Sequence, residues 1–223
     1  MLATQFRTAV IAGATGLVGR YCLEALLGHY DRVTALTRKR IPLDNPKLLQ
    51  QVLNLEELES TTLHANDVFT SLGAHPDEVG WEAFTKAEFE YPRRLAEHAA
   101  RAGASQFTFV SVPDSMHNEN FRKYTAMKRQ LEGIVAGLGF AAVHVMRPSL
   151  LLGERERPRA DEQRLEAIMR WSKWMMIGAL RKYRPISARE VGHAMVAAAL
   201  EAEPGVHIYY HDQIRALASS IHG

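Results

Sequence analysis

The segment Val10-Ile11-Ala12-Gly13-Ala14-Thr15-Gly16-Leu17-Val18-Gly19 restricts what this chain can fold into more than any other stretch. A β-type run (Thr8, Val10, Ile11) ends in three glycines spaced three apart. The chain then passes directly into residues with helical periodicity: Val18, Cys22, Ala25 and Leu26. Gly13 permits the tight turn after the strand, and Gly16 removes a Cβ where backbone approaches a diphosphate. Gly19 lets the first helix lie close to the sheet, with the N–H groups of its first turn free for phosphate oxygens. Glycine also serves packing alone at strand–helix junctions. The position between a β run and an amphipathic helix favours the phosphate reading, and predicts the opening of a dinucleotide-binding α/β fold.

Beyond this opening, strand and helix signals alternate, which predicts a parallel, doubly wound sheet. Arg32–Thr37 reads as the second strand, ending in the basic cluster Arg38-Lys39-Arg40. Ile41–Lys47, with two prolines, is loop; Gln51–Leu55 reads as a short third strand and Asp67–Leu72 as the fourth, closed by Gly73. Helical character from Trp81 to Arg101 contains Pro92, which either kinks it or opens a second segment. Phe107–Val112 is a fifth strand, Tyr124–Leu138 a helix stopped at Gly139, and Ala142–Met146 a sixth strand cut off by Pro148. Glu154–Arg164 is charge-rich loop and Arg164–Leu180 reads as helix. Ser187 and Glu190 have capping-box spacing ahead of Val191, Met195 and Ala199. Val206–Tyr210 is a late strand, and Asp212 is placed to cap a last short helix. The expected organisation is one domain over 1–223. It has a dinucleotide-binding core over 1–148 and a small lobe over 149–223 above the carboxyl ends of the strands, where open α/β sheets take their substrates.

Composition narrows the function classes. Apolar content of 47% and charged content of 23% suit a soluble globular chain, and a net charge of +2 argues against a dedicated nucleic-acid surface. No apolar run approaches the roughly 20 residues that cross a bilayer. Residues Met1 to Phe6 show no signal-peptide core, so the expected compartment is the reducing cytoplasm. The single cysteine, Cys22, falls on the apolar face of the first helix and reads as a core residue. The ten histidines are scattered, and no metal site is expected.

Two further patterns carry chemistry. The end of a second strand meets the adenosine ribose, where an acid suits the 2′-hydroxyl of NAD and a base suits the 2′-phosphate of NADP. Here Thr37 is followed by Arg38, Lys39 and Arg40 with no acid before Asp44, which points to NADP, with a solvated basic loop as the competing reading. Tyr124 and Lys128 lie four apart and so on one helical face. A nearby ammonium is expected to lower the tyrosine pKa from about 10, so that it exchanges a proton with a carbonyl or hydroxyl. Ser111, with Ser115 as a second candidate, stands where a serine would orient that carbonyl. The competing reading packs Tyr124 at a helix start beside a merely basic surface of Arg122, Lys123 and Arg129.

These features together resemble the atypical short-chain dehydrogenase/reductase superfamily, in particular its compact Tat-interacting-protein-like oxidoreductases. Besides the glycine segment, the resemblance rests on Ser71-Leu72-Gly73, Ala99-Ala100-Arg101-Ala102-Gly103-Ala104 and Phe109-Val110-Ser111. Tyr124 with Lys128, and Arg147-Pro148-Ser149-Leu150-Leu151-Leu152-Gly153, complete it. It implies a Rossmann-like sheet of about seven strands in the order 3-2-1-4-5-6, with a seventh strand, and a nicotinamide dinucleotide across the switch point. It also implies that Gly13, Thr15, Gly16, Leu17 and Val18 contact the pyrophosphate, Arg38 the 2′-phosphate, and Leu72 and Gly73 the adenine-side ribose region. Ser111, Tyr124 and Lys128 would surround the nicotinamide, with Pro148, Ser149 and Leu150 on its far side. One departure stands out: the family's second serine after the fifth strand is Val112 here.

The expected function is therefore an NADP-dependent oxidoreductase moving a hydride between nicotinamide and a small carbonyl, alcohol or activated double bond. The alternative is a non-catalytic NADP(H)-responsive module acting through a protein partner. A sugar-nucleotide epimerase fits less well, because its C-terminal lobe usually exceeds what residues 149–223 provide. Trp171, Trp174, Met175 and Met176 are expected to form a lid or core segment rather than a membrane-surface helix. Substrate identity stays open, as does oligomeric state, including a homodimer.

Overall fold

The computed structural model describes residues 6–74, 76–114, 119–152 and 184–221. Seven parallel strands form the sheet: β1 (Thr8–Ala12), β2 (Arg32–Thr37), β3 (Leu48–Val52), β4 (Asp67–Thr70), β5 (Gln106–Val110), β6 (Ala142–Met146) and β9 (Gly205–Tyr209). Their order is β3-β2-β1-β4-β5-β6-β9, so the chain reverses direction across the sheet between β1 and β4, as the resemblance implied. A separate parallel pair joins β7 (Leu151–Leu152) to β8 (Ile186–Ser187).

Helices cover both faces: α1 (Gly19–His29), α2 (Pro76–Thr85), α3 (Tyr91–Arg101), α4 (Glu119–Ala136), α5 (Ala188–Glu201) and α6 (His211–Ser220). The two-residue period of a strand divides the core between them. From β1, Ala9 and Ile11 join Cys22 and Leu26 of α1, Val191 and Met195 of α5 and Ile214 of α6. Val10 and Ala12 point the other way, to Leu95 and Ala99 of α3 and Leu131 and Val135 of α4. Every residue of β4 and β6 is buried, the pattern of a sheet covered on both faces. Cys22 lies fully buried in the first cluster, as expected of a small core residue, and its surroundings push the thiol pKa far up. The described residues after 184 extend these same layers: α5 packs on α1, α6 on α5, and β9 adds the edge strand.

Several boundaries differ from expectation for local reasons. The third strand is Leu48–Val52 rather than Gln51–Leu55. Asn54 ends that run by accepting the Glu56 N–H and starting a 3-10 turn. The predicted helix 81–101 is three pieces. It begins at Pro76, breaks at Gly80 (φ 78°, ψ 162°), and passes through a π turn over Lys86–Glu90, with Pro92 in the first turn of α3. The helix bearing Tyr124 begins earlier, at Glu119, and ends at Ala136. The fifth strand stops at Val110, and the late strand spans Gly205–Tyr209. The capping box is present: Ser187 Oγ accepts the Glu190 N–H and Glu190 Oε2 accepts the Ser187 N–H, each at 3.0 Å. Asp212 is not the cap of α6. Tyr210 holds that position and Gln213 reaches back to its N–H at 3.0 Å, leaving Asp212 in the first turn beside His211. The expected loop 154–164, the expected helix 164–180 and Ser115 lie outside the described residues.

At the amino-terminal edge of the sheet a buried carboxyl ties three elements together. Asp67 Oδ2 accepts the Tyr30 hydroxyl at 2.6 Å and pairs with Arg7 Nε at 2.8 Å. The Arg7 guanidinium also donates to the Ala199 carbonyl of α5 at 2.5 Å and lies 5.2 Å from the Tyr30 ring centre. Burial pushes the Asp67 carboxyl above its usual range despite these partners, and drives the Tyr30 phenol strongly upward.

Candidate active site

The opposite, carboxyl-terminal edge carries the glycine turn. Gly13 sits at φ 87°, where an L side chain is strained, and a Cβ there would come within 2.8 Å of Leu72 N. A Cβ on Gly19 would fall 1.9 Å from the Gly13 carbonyl oxygen, so the first turn of α1 can press on the loop only as glycine. Gly16 was expected to clear space for a diphosphate. It lines the cleft at this edge; its N–H closes the turn on the Gly13 carbonyl at 2.9 Å, and a Cβ would also meet that oxygen at 3.2 Å.

Thr15, Gly16, Leu17 and Val18 line one side of a cleft of about 740 Å³; Gly19 is buried behind them. The loops after β4, β5 and β6 bring Leu72, Gly73, Ser111, Pro148 and Ser149 to the same space, and α4 brings Tyr124. Leu150 is half-buried and its carbonyl accepts the Ile186 N–H at 3.0 Å; Leu151 faces the cleft instead. Ser149 donates its hydroxyl to the Arg184 carbonyl. Arg38, Lys39 and Arg40 are exposed at the end of β2. They stand outside the lining, which reaches that side through Ile41, Pro42 and Leu43.

Tyr124 and Lys128 do converge, but on a residue that spacing alone did not single out. Glu88, in the π turn before α3, accepts the Tyr124 hydroxyl at 3.0 Å and pairs with Lys128 Nζ at 2.9 Å through the same oxygen, Oε2. Lys128 is 2% exposed and also donates to the Glu88 carbonyl at 3.3 Å. This arrangement reverses the expectation for the tyrosine. Burial first, and the Glu88 carboxylate second, hold its pKa well above the ordinary tyrosine range. The ammonium that was to lower it is spent on Glu88. A trace of Glu88 is present in the sequence: it falls four residues after buried Phe84, an acid on the inward stripe.

Ser111 belongs to a second buried network. Its hydroxyl donates to Glu132 Oε1 at 2.5 Å and accepts from Arg129 at 3.3 Å. Glu132 also pairs with Arg147 through both oxygens, at 3.1 and 2.5 Å, and with Arg129 at 2.5 Å. Arg129 further donates to the Val112 carbonyl at 2.5 Å and to Asp114 at 2.9 Å, pinning the loop after β5. The hydrogen that would orient a substrate carbonyl is committed to Glu132.

Among the described residues no group of three or more His, Cys, Asp or Glu could hold a metal ion, and no helix is long and apolar enough to cross a membrane.

Fold, glycine turn and convergent Tyr–Lys pair together define a short-chain dehydrogenase/reductase-type α/β protein. Residues 9–209 match the NAD dependent epimerase/dehydratase family, and the chain belongs to that family. Among curated proteins it is similar to Protein HTATIP2 of Rattus norvegicus, 27% identical over 71% of this chain and 68% of that one. It is similar also to the mitochondrial protein fmp-52 of Neurospora crassa, 30% identical over 91% of this chain and 88% of the relative. Its fold matches that of MoeE5 in complex with UDP-glucuronic acid and NAD. The TM-score is 0.68 at 16% identity, covering 96% of this chain and 82% of the other.

Proposed function

We propose that this chain is an NADP-dependent oxidoreductase that moves a hydride between nicotinamide and a small carbonyl, alcohol or activated double bond. The observation that carries the reading is that Tyr124 faces the cleft that begins at the glycine turn, with Lys128 buried behind it and joined to it through Glu88. The residues fit such a cofactor: a cradle where Cβ atoms at Gly13 and Gly19 would collide, at the mouth of a helix and the sheet's switch point. When bound, the nicotinamide supplies or accepts the hydride. The protein's part is to hold the diphosphate on the backbone of residues 13–18 and to exclude water with Leu17, Leu72 and Val110. Tyr124 exchanges the proton with the substrate oxygen, and Lys128 steadies the ribose only by leaving Glu88. Ser111 reaches a substrate only by leaving Glu132. The basic run Arg38-Lys39-Arg40 supports NADP over NAD, since a 2′-phosphate gains charge-assisted contacts there.

A test is consumption of NADPH against a panel of carbonyls. It is expected to proceed, and to be abolished by Tyr124→Phe with cofactor affinity unchanged. Turnover that survives this substitution overturns the reading. One observation favours the alternative, an NADP(H)-responsive module: both candidate hydroxyls, Tyr124 and Ser111, already donate to internal carboxylates. Tight cofactor binding with no Tyr124-dependent turnover would select it. The buried, unpaired Cys22 suits a reducing compartment. The cytoplasm is proposed on that ground, with the mitochondrial designation of the Neurospora relative as the rival that cell fractionation decides.

A further inference from the structure

Glu88 is fixed from two directions. Its Oε2 meets the Tyr124 hydroxyl and the Lys128 ammonium from α4, while its Oε1 accepts the Ala74 N–H at 3.1 Å from the loop after β4. A Cβ on Gly73 would already stand 3.0 Å from Oε1, so the loop closes tightly on the carboxylate. Glu88 is 6% exposed, and what exposure it has faces the cleft. Among the described residues, Glu88 and Lys128 are the charged groups touching Tyr124. Phe84 and Phe121 close on its ring at 5.2 and 6.1 Å, and Glu78 and Arg20 are the other charged side chains lining the cleft.

We propose that Glu88 is the third member of the reacting group. It pairs with the Lys128 ammonium and accepts the Tyr124 hydrogen, so that the phenol stays protonated near neutral pH and enters the reaction as the proton donor of carbonyl reduction, its hydrogen turning from Glu88 to the substrate oxygen. The proposal rests on the oxidoreductase reading above. In the step it describes, the carbonyl carbon gains a hydride from reduced nicotinamide and the Tyr124 O–H bond breaks. The proton goes to the carbonyl oxygen; the carbonyl is reduced and the nicotinamide oxidised. The phenolate left behind faces a carboxylate at hydrogen-bond distance and recovers a proton from cleft water. The reverse reaction would have to start from that phenolate, which a lysine alone would favour and Glu88 opposes.

The test is a near-ultraviolet titration of phenolate formation in the cofactor-free protein, with the Tyr124 step assigned by its loss in Tyr124→Phe. In the parent the step lies above the ordinary tyrosine value of about 10. Glu88→Gln, which keeps the shape and drops the charge, is expected to lower it by about one pH unit or more, at least a tenfold change in the ionisation constant. Glu88→Asp, which keeps the charge, should leave it high. A parent step at or below the ordinary value overturns the proposal without need of either variant. So does a step unmoved by Glu88→Gln, or moved equally by both substitutions. Failure of the oxidoreductase reading would instead show as absent turnover, which this cofactor-free measurement does not depend on.

Discussion

The molecule contains two buried assemblies of the same composition at opposite edges of one sheet. At the amino-terminal edge, Asp67 receives the Tyr30 hydroxyl at 2.6 Å and Arg7 at 2.8 Å. At the carboxyl-terminal edge, Glu88 receives the Tyr124 hydroxyl at 3.0 Å and Lys128 at 2.9 Å. In each, the cation also lies near the tyrosine ring, at 5.2 and 5.9 Å. Burial and the carboxylate raise the phenol in both. A tyrosine, a carboxylate and a cation therefore do not by themselves make a reacting group. What separates the two is location. The first closes the strand ends against α5 through Arg7 and Ala199, whereas the second opens into the cleft of the glycine turn. The cations differ in kind as well. A guanidinium keeps its charge and geometry, while an ammonium on a flexible stem can change partners when a ligand arrives.

Matched substitutions test this distinction. Tyr124→Phe should lower turnover about 100-fold or more. It also takes a donor from Glu88, but that carboxylate keeps Lys128 and the Ala74 N–H and borders the cleft, so the stability loss should be smaller than for Tyr30→Phe. A large stability loss with turnover intact would invert the assignment. Tyr30→Phe should do the opposite. Removing the donor from a buried carboxylate costs about 1.5–3 kcal/mol in denaturant unfolding, with cofactor affinity of the folded fraction unchanged.

Another buried polar group, outside both assemblies, ties stability to pH. His144, between Gln106 and Tyr209, is held by burial, and then by His207, to a pKa of about 4. The unfolded chain takes up this proton near pH 6.5 and the folded chain does not. Stability is thus complete above about 6.5 and falls as pH drops toward about 4, by on the order of 3 kcal/mol. His144→Gln should flatten that stretch of the pH–stability curve; an unchanged slope would assign the acid loss elsewhere. The smallest effect is expected at the cleft's outer rim. Arg38→Asp should narrow the preference for NADPH over NADH by about tenfold, roughly 1.4 kcal/mol, in calorimetric titration. Equal affinities in the parent would remove the 2′-phosphate role.

Much of this arrangement is readable before any coordinates. The alternation of strands and helices follows from periodicity, the glycine turn from its residue types and the Tyr124–Lys128 pair from helical spacing, while the strand order follows from the family resemblance. The failures are contacts between distant segments. Glu88 and Glu132 lie 36 and 21 residues from the hydroxyls they accept, Tyr124 and Ser111, and no local pattern registers such a bond. Spacing predicted that Lys128 would activate Tyr124; a carboxylate from another element cancelled the charge. The π turn has the same character. It occupies part of an ordinary amphipathic stretch, yet it sets the rotation at which Glu88 enters the cleft. Both carboxylates do sit among apolar helical positions, and an acid on an inward stripe is the signal a second reading should pursue.

The hydrogen bond from Arg7 to Ala199 bridges 192 residues, and α1 likewise rests on the distant α5. During synthesis the glycine-turn loop leaves the ribosome long before the helix that packs on α1. Nucleotide affinity should therefore appear late, once that distal helix has docked, and truncations ending ahead of Ala188 should lose it together with their protease resistance.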